Sequence, residues 1–341
     1  MGRKRHGPAA GDGPGGEARA GDTAGGGGGA RSRIHEGLVG ARALIGTRYL
    51  ADPRLRAEYQ RDIAPRTVAA LSKVLGEIFP ARAARAPTRI LDLGAGTGAA
   101  SEALRRHFGP APTVVEVDRV ATSPTVRIAD VTNPDGLGLG GGPFDLVVAA
   151  HVLNELFVDD PPDARLERLS RLVQRWSARL LAEGGTLILL EPALRDTSRV
   201  LLAVRDGILA AGLHVVAPCF LRGPCPALVN ARDWCHDSAT APEIRRVDFS
   251  YLIVRTHAGE NADPALFRVV SDPLLEKGRL RFFMCGGAGR HPVVRLDRNR
   301  SEANADLDRV VRGDVVRICG TTAAGDGLRL EGASTVALLR R

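Results

Sequence analysis

The chain has 341 residues, 44% apolar and 25% charged, a balance that excludes a fibrous or wholly disordered protein and leaves room for two domains. No run of about 18 uncharged apolar residues occurs, so no transmembrane helix is expected. Arg3, Lys4 and Arg5 have no apolar stretch behind them, which argues against a secretory signal and for a cytoplasmic compartment. The net charge is +8, carried almost wholly by arginine because lysine occurs only at Lys4, Lys73 and Lys277. Such an excess suits a polyanionic partner, although arginine-rich coding bias gives the same composition.

Residues 1–31 are dominated by Gly, Ala and charge and read as a disordered leader. Residues 32–84 read as an N-terminal helical region, with helices over Tyr49 to Ile63 and Val68 to Phe79. In the second, Val68, Leu71, Val74, Leu75 and Ile78 fall at helical spacing. From Thr88 the pattern alternates between strand and helix. Thr88–Leu93, Thr113–Asp118, Thr125–Ala129, Phe144–Ala150 and Thr186–Glu191 read as strands. Ala99–Phe108, Leu166–Leu181 and Thr197–Ala211 read as helices. This alternation predicts a parallel sheet covered on both faces, over residues 85–215. Residues 216–341 change texture: a Pro- and Cys-rich loop, then short strands at 246–256, 279–284, 292–296, 314–318 and 327–331, a small β extension or barrel.

The strongest motif is Ile90-Leu91-Asp92-Leu93-Gly94-Ala95-Gly96-Thr97-Gly98. A buried strand enters a glycine turn and then a helix, whose first N–H groups face a ligand. An acid at the end of the second strand holds ribose hydroxyls in such sites; Asp118 stands there, with Glu116 as the alternate. Gly94-x-Gly96-x-x-Ala99 also fits the dinucleotide fingerprint, so the loop alone does not choose the cofactor. Later segments do. Asp130 and Val131 follow the third strand, Phe144-Asp145-Leu146-Val147-Val148 forms the fourth, and Glu183-Gly184-Gly185-Thr186 leads into the fifth. Together they resemble class I S-adenosylmethionine-dependent methyltransferases, a Rossmann-like α/β fold. The resemblance implies cofactor contacts at Asp92, Gly94, Ala95, Gly96, Gly98, Asp118, Asp130 and Val131. No acceptor-activating motif follows the fourth strand. His151 and Glu155 can serve as a general base or cap the next helix, and the catalytic residue stays unassigned.

Five cysteines occur, and with no export signal a disulfide framework is not expected. Cys219, Cys225 and Cys235 share one loop, stiffened by Pro218, Pro224 and Pro226, and Cys285 ends a strand. Four such thiols can converge on a structural zinc, with His236 as a substitute ligand, or on an iron–sulfur cluster. Buried small hydrophobes are the alternative reading, and Cys319 reads as one on a core strand.

Ala149 to Leu156, Leu189-Leu190-Glu191-Pro192, and the series Pro218-Cys219, Pro224-Cys225-Pro226 and Asp233-Trp234-Cys235-His236 form a distinctive set. It resembles the mitochondrial small-ribosomal-subunit methyltransferase-like family (methyltransferase-like protein seventeen) and its bacterial relatives, over about residues 35–320. The resemblance implies a partner in the small ribosomal subunit and its rRNA, a role in ribosome assembly or translation, and a 4Fe-4S cluster on Cys219, Cys225, Cys235 and Cys285. Two alternatives stand beside it: an active rRNA base methyltransferase, and a small-molecule methyltransferase with a structural zinc. The sequence leaves the methyl acceptor and the oligomeric state open.

Overall fold

The computed structural model describes residues 32–80, 86–257 and 263–340; the leader expected over residues 1–31 lies outside them. Two helices come first, α1 (Pro53–Asp62) and α2 (Ala64–Ile78). Asp52 caps α1 by accepting from Arg54 N at 2.8 Å, and Pro53 supplies the preset φ of a first helical residue. The alternating core follows: β1 (Arg89–Leu93), α3 (Ala99–Phe108), β2 (Thr113–Asp118), β3 (Val126–Ile128), β4 (Phe144–Ala150), α4 (Pro162–Leu180), β5 (Leu181–Pro192) and α5 (Arg195–Ala210). Three more strands complete this sheet: β6 (His214–Ala217), β7 (Asp237–Ala241) and β8 (Ile244–Arg255).

The strand order is β3-β2-β1-β4-β5-β8-β6, with β7 on β8. β1 to β5 pair in parallel, whereas β8 runs antiparallel between β5 and β6. A reversed strand beside β5 separates the class I methyltransferase sheet from a wholly parallel dinucleotide-binding one. β8 lies within the 216–341 grouping drawn from the sequence, yet it is hydrogen-bonded into the first sheet.

Period-two alternation divides the sheet between two cores. Ile90, Leu146, Val148, Ile188, Leu190, Tyr251 and Ile253 pack with α1, α2 and α3 on one face. Leu91, Leu93, Val147, Ala149, Leu187, Leu189, Leu252 and Val254 meet α4 and α5 on the other. Trp176 of α4 is fully buried there and donates Nε1–H to Val131 O at 2.8 Å. No helix among the described residues is long and apolar enough to cross a membrane.

The second sheet contains β9 (Leu266–Val269), β10 (Leu274–Glu276), β11 (Arg279–Gly286), β12 (Gly289–Leu296), β13 (Val315–Ala324) and β14 (Gly327–Arg340). β9 pairs with both β11 and β13, so the ring β9-β11-β12-β14-β13 closes on itself. Phe282, Met284, Val293, Val316, Ile318, Leu330 and Val336 fill it. Arg295 points inward from β12, reaching Asn304 O at 3.1 Å and the carboxylate of Asp308. A single buried charge would be costly, and this partner makes it tolerable.

Candidate functional site

The carboxyl ends of β1, β2, β3 and β4 surround a cavity of about 640 Å³. Gly94 and Gly96 form its floor, and both have positive φ, +72° and +54°. A Cβ on Gly94 would meet Val152 Cγ2 at 2.6 Å. Strand β2 fixes the loop: Gly94 N and Ala95 N both donate to Val117 O at 2.9 Å. Asp118 lines the cavity, and its carboxylate accepts from Gly96 N and Val120 N, each at 2.9 Å. Ile128, Ala129, Asp130 and Val131 form the opposite wall. Ile128 is 72% exposed, an apolar lip at the cavity. Asp130 accepts from the backbone and hydroxyl of Thr132.

The remaining expected contacts lie elsewhere. Asp92 is fully buried and does not line the cavity; it accepts from Ser101 N at 3.0 Å and Ser101 Oγ at 2.8 Å. It thereby ties β1 to the first turn of α3, and burial pushes its carboxyl up to about 7. Ala95 and Gly98 are also absent from the lining. Gly98 has φ +87° and caps α3. Glu116, the alternate acid, faces Arg105 at 2.9 Å and Thr125 instead of the cavity.

The N-terminal region supplies a wall that sequence reasoning missed. Thr47, Arg48, Tyr49, Leu50 and Tyr59 line the cavity. Tyr49 donates its hydroxyl to Glu155 Oε1 at 2.9 Å, and Arg119 holds the other Glu155 oxygen at 3.2 Å. Arg119 also donates to Gly46 O at 3.0 Å, so one guanidinium joins the N-terminal segment to the loops after β2 and β4. Burial raises Glu155 to about 7. His151 also lines the cavity, with φ +61° and its Nε2 at 3.1 Å from Thr67 Oγ1. Burial lowers its imidazole to about 4, so it is neutral at pH 7. Below it, Glu191 accepts from Leu153 N at 2.8 Å and burial pushes it up to about 8.

The four cysteines of the expected cluster come into one region next to the barrel. Burial raises all four thiols, Cys225 to about 11 and Cys285 to about 12. The charges of Cys219, Cys225 and Cys285 all act on Cys235, and those of Cys219 and Cys225 act on Cys285. Arg205, fully buried, acts on Cys219 and donates to the loop carbonyls of Leu221 and Gly223. Cys225 N is held by Asp206 at 3.0 Å. All five cysteines are free thiols, and Cys319, expected in the core, is exposed. Among the described residues no group of three or more His, Cys, Asp or Glu side chains is arranged to hold a metal ion. His236 stacks on Trp234 with ring centroids 5.9 Å apart.

The family model described as mitochondrial small ribosomal subunit Rsm22 matches residues 56–296. The chain belongs to the Rsm22 family. That match spans β1 to β12, so it takes in both the glycine loop and all four cysteines. No curated protein matches the chain. Solved structures similar to it include the plantazolicin methyltransferase BpumL in complex with SAH, at TM-score 0.38 and 13% identity, covering 66% of this chain and 100% of that one. Fibrillarin from Aeropyrum pernix with natively bound S-adenosyl-L-methionine gives TM-score 0.31 and 14% identity over 54% and 73% of the two chains. TrmN from Thermus thermophilus gives 0.35 and 15%, over 57% and 52%. At these scores the fold assignment for this Rsm22 family member rests on its strand order.

Proposed function

We propose that this Rsm22 family member binds S-adenosylmethionine in the cavity above Gly94 and Gly96 and acts on the small ribosomal subunit through its rRNA, in assembly or translation. The observation that carries the reading is the cavity itself. It opens at the carboxyl ends of the parallel strands, where ligands of doubly wound sheets bind. Asp118 and Asp130 supply acceptors for hydroxyl and amino groups, and Ile128 and Val131 an apolar wall for an adenine ring. Its volume of about 640 Å³ suits a nucleoside-sized ligand. The site residues proposed for the cofactor are Gly94, Gly96, Asp118, Asp130 and Val131, with Asp92, Ala95 and Gly98 shaping the loop beneath.

The same reading assigns a 4Fe-4S cluster to Cys219, Cys225, Cys235 and Cys285. The donor set is what supports it: four thiols in one region, with the Arg205 guanidinium beside Cys219 to offset thiolate charge. Such a cluster would tie the loop after β6 to barrel strand β11. The proposed organisation is a leader over residues 1–31, a helical region over 32–84, a cofactor domain over 85–215 and a cysteine-bearing β region over 216–341. The proposed compartment is the cytoplasm.

Glu155 favours a second reading, active methyl transfer to an rRNA base. A carboxyl near 7 inside the cavity can accept a proton at neutral pH, although Tyr49 and Arg119 already engage it.

Anaerobic purification, metal and sulfide analysis, cofactor calorimetry and co-sedimentation with small subunits test the reading together. Expected are iron and sulfide that disappear in Cys225→Ser, S-adenosylmethionine binding at micromolar levels or tighter, and co-sedimentation. One zinc and no sulfide would overturn the cluster. Failure to bind cofactor would overturn the cavity assignment, and failure to sediment the ribosomal one. Methyl incorporation from labelled cofactor into rRNA distinguishes the second reading.

A further inference from the structure

The barrel ring runs, by order of its strands along the chain, first-second-third-fifth-fourth and back to first: β9, β11, β12, β14, β13. Its one parallel contact is between the third and fifth strands, β12 and β14, and short helical turns at 297–299 and 302–308 connect the third strand to the fourth. This is the topology of the oligonucleotide/oligosaccharide-binding fold, in which the second and third strands and their flanking loops carry the ligand. Topology alone assigns no ligand, and the side chains on that face make the case.

On β11, Leu280, Phe282 and Met284 enter the barrel core, so Arg279, Arg281, Phe283 and Cys285 face outward. The β12 residues opposite them are Leu296, Val294, Pro292 and Arg290. Arg329 of β14 lies beside Val294 and is exposed. The outward strip therefore carries a half-buried aromatic ring framed by arginines. The guanidinium of Arg290 sits 4.8 Å from the Phe283 ring centroid and that of Arg281 5.8 Å. Glu276 serves both Arg279 and Arg281, Asp233 holds Arg290 at 2.7 Å, and exposed Lys277 and Arg329 add further charge. Cations outnumber carboxylates around a flat ring. That combination grips phosphates while bases stack on the ring or the guanidinium planes. A rigid duplex offers no free base faces to it.

We propose that this face of the barrel, formed by β11 and β12 with Arg329 of β14, binds a short single-stranded segment of RNA. The identity of that RNA as rRNA rests on the ribosomal reading above. Binding of an isolated oligonucleotide does not. The Asp233–Arg290 bridge joins the face to the cysteine loop, and Trp234, 37% exposed, adjoins it in the chain as a second stacking surface.

Fluorescence anisotropy of the full chain with a labelled oligouridylate of about twelve nucleotides, titrated from about 50 to about 200 mM salt, tests the proposal. Phe283→Leu is expected to weaken binding about five- to tenfold with an unchanged salt slope. Arg279→Ala with Arg329→Ala is expected to weaken binding and lower the slope by about one to one and a half, two phosphates' worth for a single strand. Arg171→Ala with Arg195→Ala, exposed on α4 and α5, serves as the control and should leave both unchanged. Loss of affinity in the control equal to that in the face variants would overturn the proposal, as would full retention in the face variants. Equal competition by polyglutamate would make the face a general polyanion site and overturn it too. If the wild type ignores the oligonucleotide yet co-sediments with small subunits, this proposal falls and the ribosomal reading stands. If the chain binds the oligonucleotide through this face and fails to sediment, the reverse holds.

Discussion

Replacing Gly94 by Ala tests whether the glycine loop is built by backbone conformation and close approach together. Gly94 has φ +72°, which costs a residue with a Cβ about 1–2 kcal/mol. The new methyl would lie 2.6 Å from Val152 Cγ2, a contact that forces repacking in a well-filled core, about 1–3 kcal/mol. Gly94→Ala should therefore destabilise the protein by about 2–5 kcal/mol. Val152→Ala removes the struck methyl and by itself should cost about 1–2 kcal/mol of burial. Its effect in the Gly94→Ala background should be smaller, because the clash disappears while the backbone strain remains. Urea denaturation of the four proteins measures the cycle. The expected coupling is about 1–3 kcal/mol of relief in the double variant. Additivity within about 0.5 kcal/mol would refute the steric half of the reasoning. Calorimetry on the same set should show cofactor affinity reduced at least about tenfold in Gly94→Ala and partly recovered in the double variant.

Three further outcomes follow from the same geometry. Asp118→Ala removes the acceptor for Gly96 N and Val120 N, each at 2.9 Å, so it should cost about 1.5–3 kcal/mol and abolish measurable cofactor binding, whereas Asp118→Asn should retain part of both. Glu191, Asp92 and Glu155 are all raised carboxyls, so the folded state binds their protons more tightly than the unfolded one, and stability falls as pH rises through about 7 to 8. His151, lowered to about 4, opposes this only below its unfolded value near pH 6.5, so thermal melts of Glu191→Gln between about pH 6.5 and 8.5 should show a shallower decline than wild type; an unchanged slope would mean Glu191 is not protonated at neutral pH. Arg268 and Glu77 form a buried pair with side chains 6% exposed on each partner, and Tyr251 donates to Glu77 at 2.6 Å, so Arg268→Ala should cost about 3–5 kcal/mol by removing the guanidinium charge that offsets the buried Glu77 carboxylate. A loss under about 1 kcal/mol in chemical denaturation would show that water reaches Glu77.

Legibility from sequence followed how locally each feature is determined. The helix Ala99–Phe108 and the strands Thr113–Asp118 and Phe144–Ala150 match their predicted bounds, since apolar runs between Gly and Pro leave few alternatives. The helix Pro162–Leu180 starts earlier than its apolar pattern does, because Pro162 starts it without any hydrophobic signal. β6, β7 and β9 went unread: β6 and β9 are four-residue strands outside the strand–helix alternation, and β7, Asp237-Ser238-Ala239-Thr240-Ala241, carries no large apolar side chain to mark a buried face. Gly94 and Gly96 were legible because positive φ leaves its mark in the residue type. Tyr49 was not, since its contact with Glu155 spans 106 residues and depends on how the N-terminal segment crosses the sheet. Asp92 shows the opposite limit. Its place in the motif suggested a ligand contact, and its fully buried carboxylate instead holds the first turn of α3.

The groups that join the cavity to the barrel are charged or polar side chains buried between α2, β8 and β9. Glu77 belongs to α2, Tyr251 to β8 and Arg268 to β9, and all three meet in one buried network. α2 also carries Thr67, which positions His151 at the cavity, and Lys73, which pairs with Asp237 of β7 at 2.8 Å. One helix thus touches the cavity wall, the added strands of the first sheet and the first strand of the barrel. Buried ion pairs add little net stability but penalise any other arrangement of their partners heavily. The arginine excess therefore has two separate roles in this chain. Arg205, Arg268 and Arg295 are spent inside, fixing the cysteine loop, the barrel's attachment and the barrel's end. Arg279 and Arg329 remain exposed on the barrel face, where net charge can act on a polyanion. A partner that recognises this protein by its charge therefore meets a subset of the arginines, held in register by the rest.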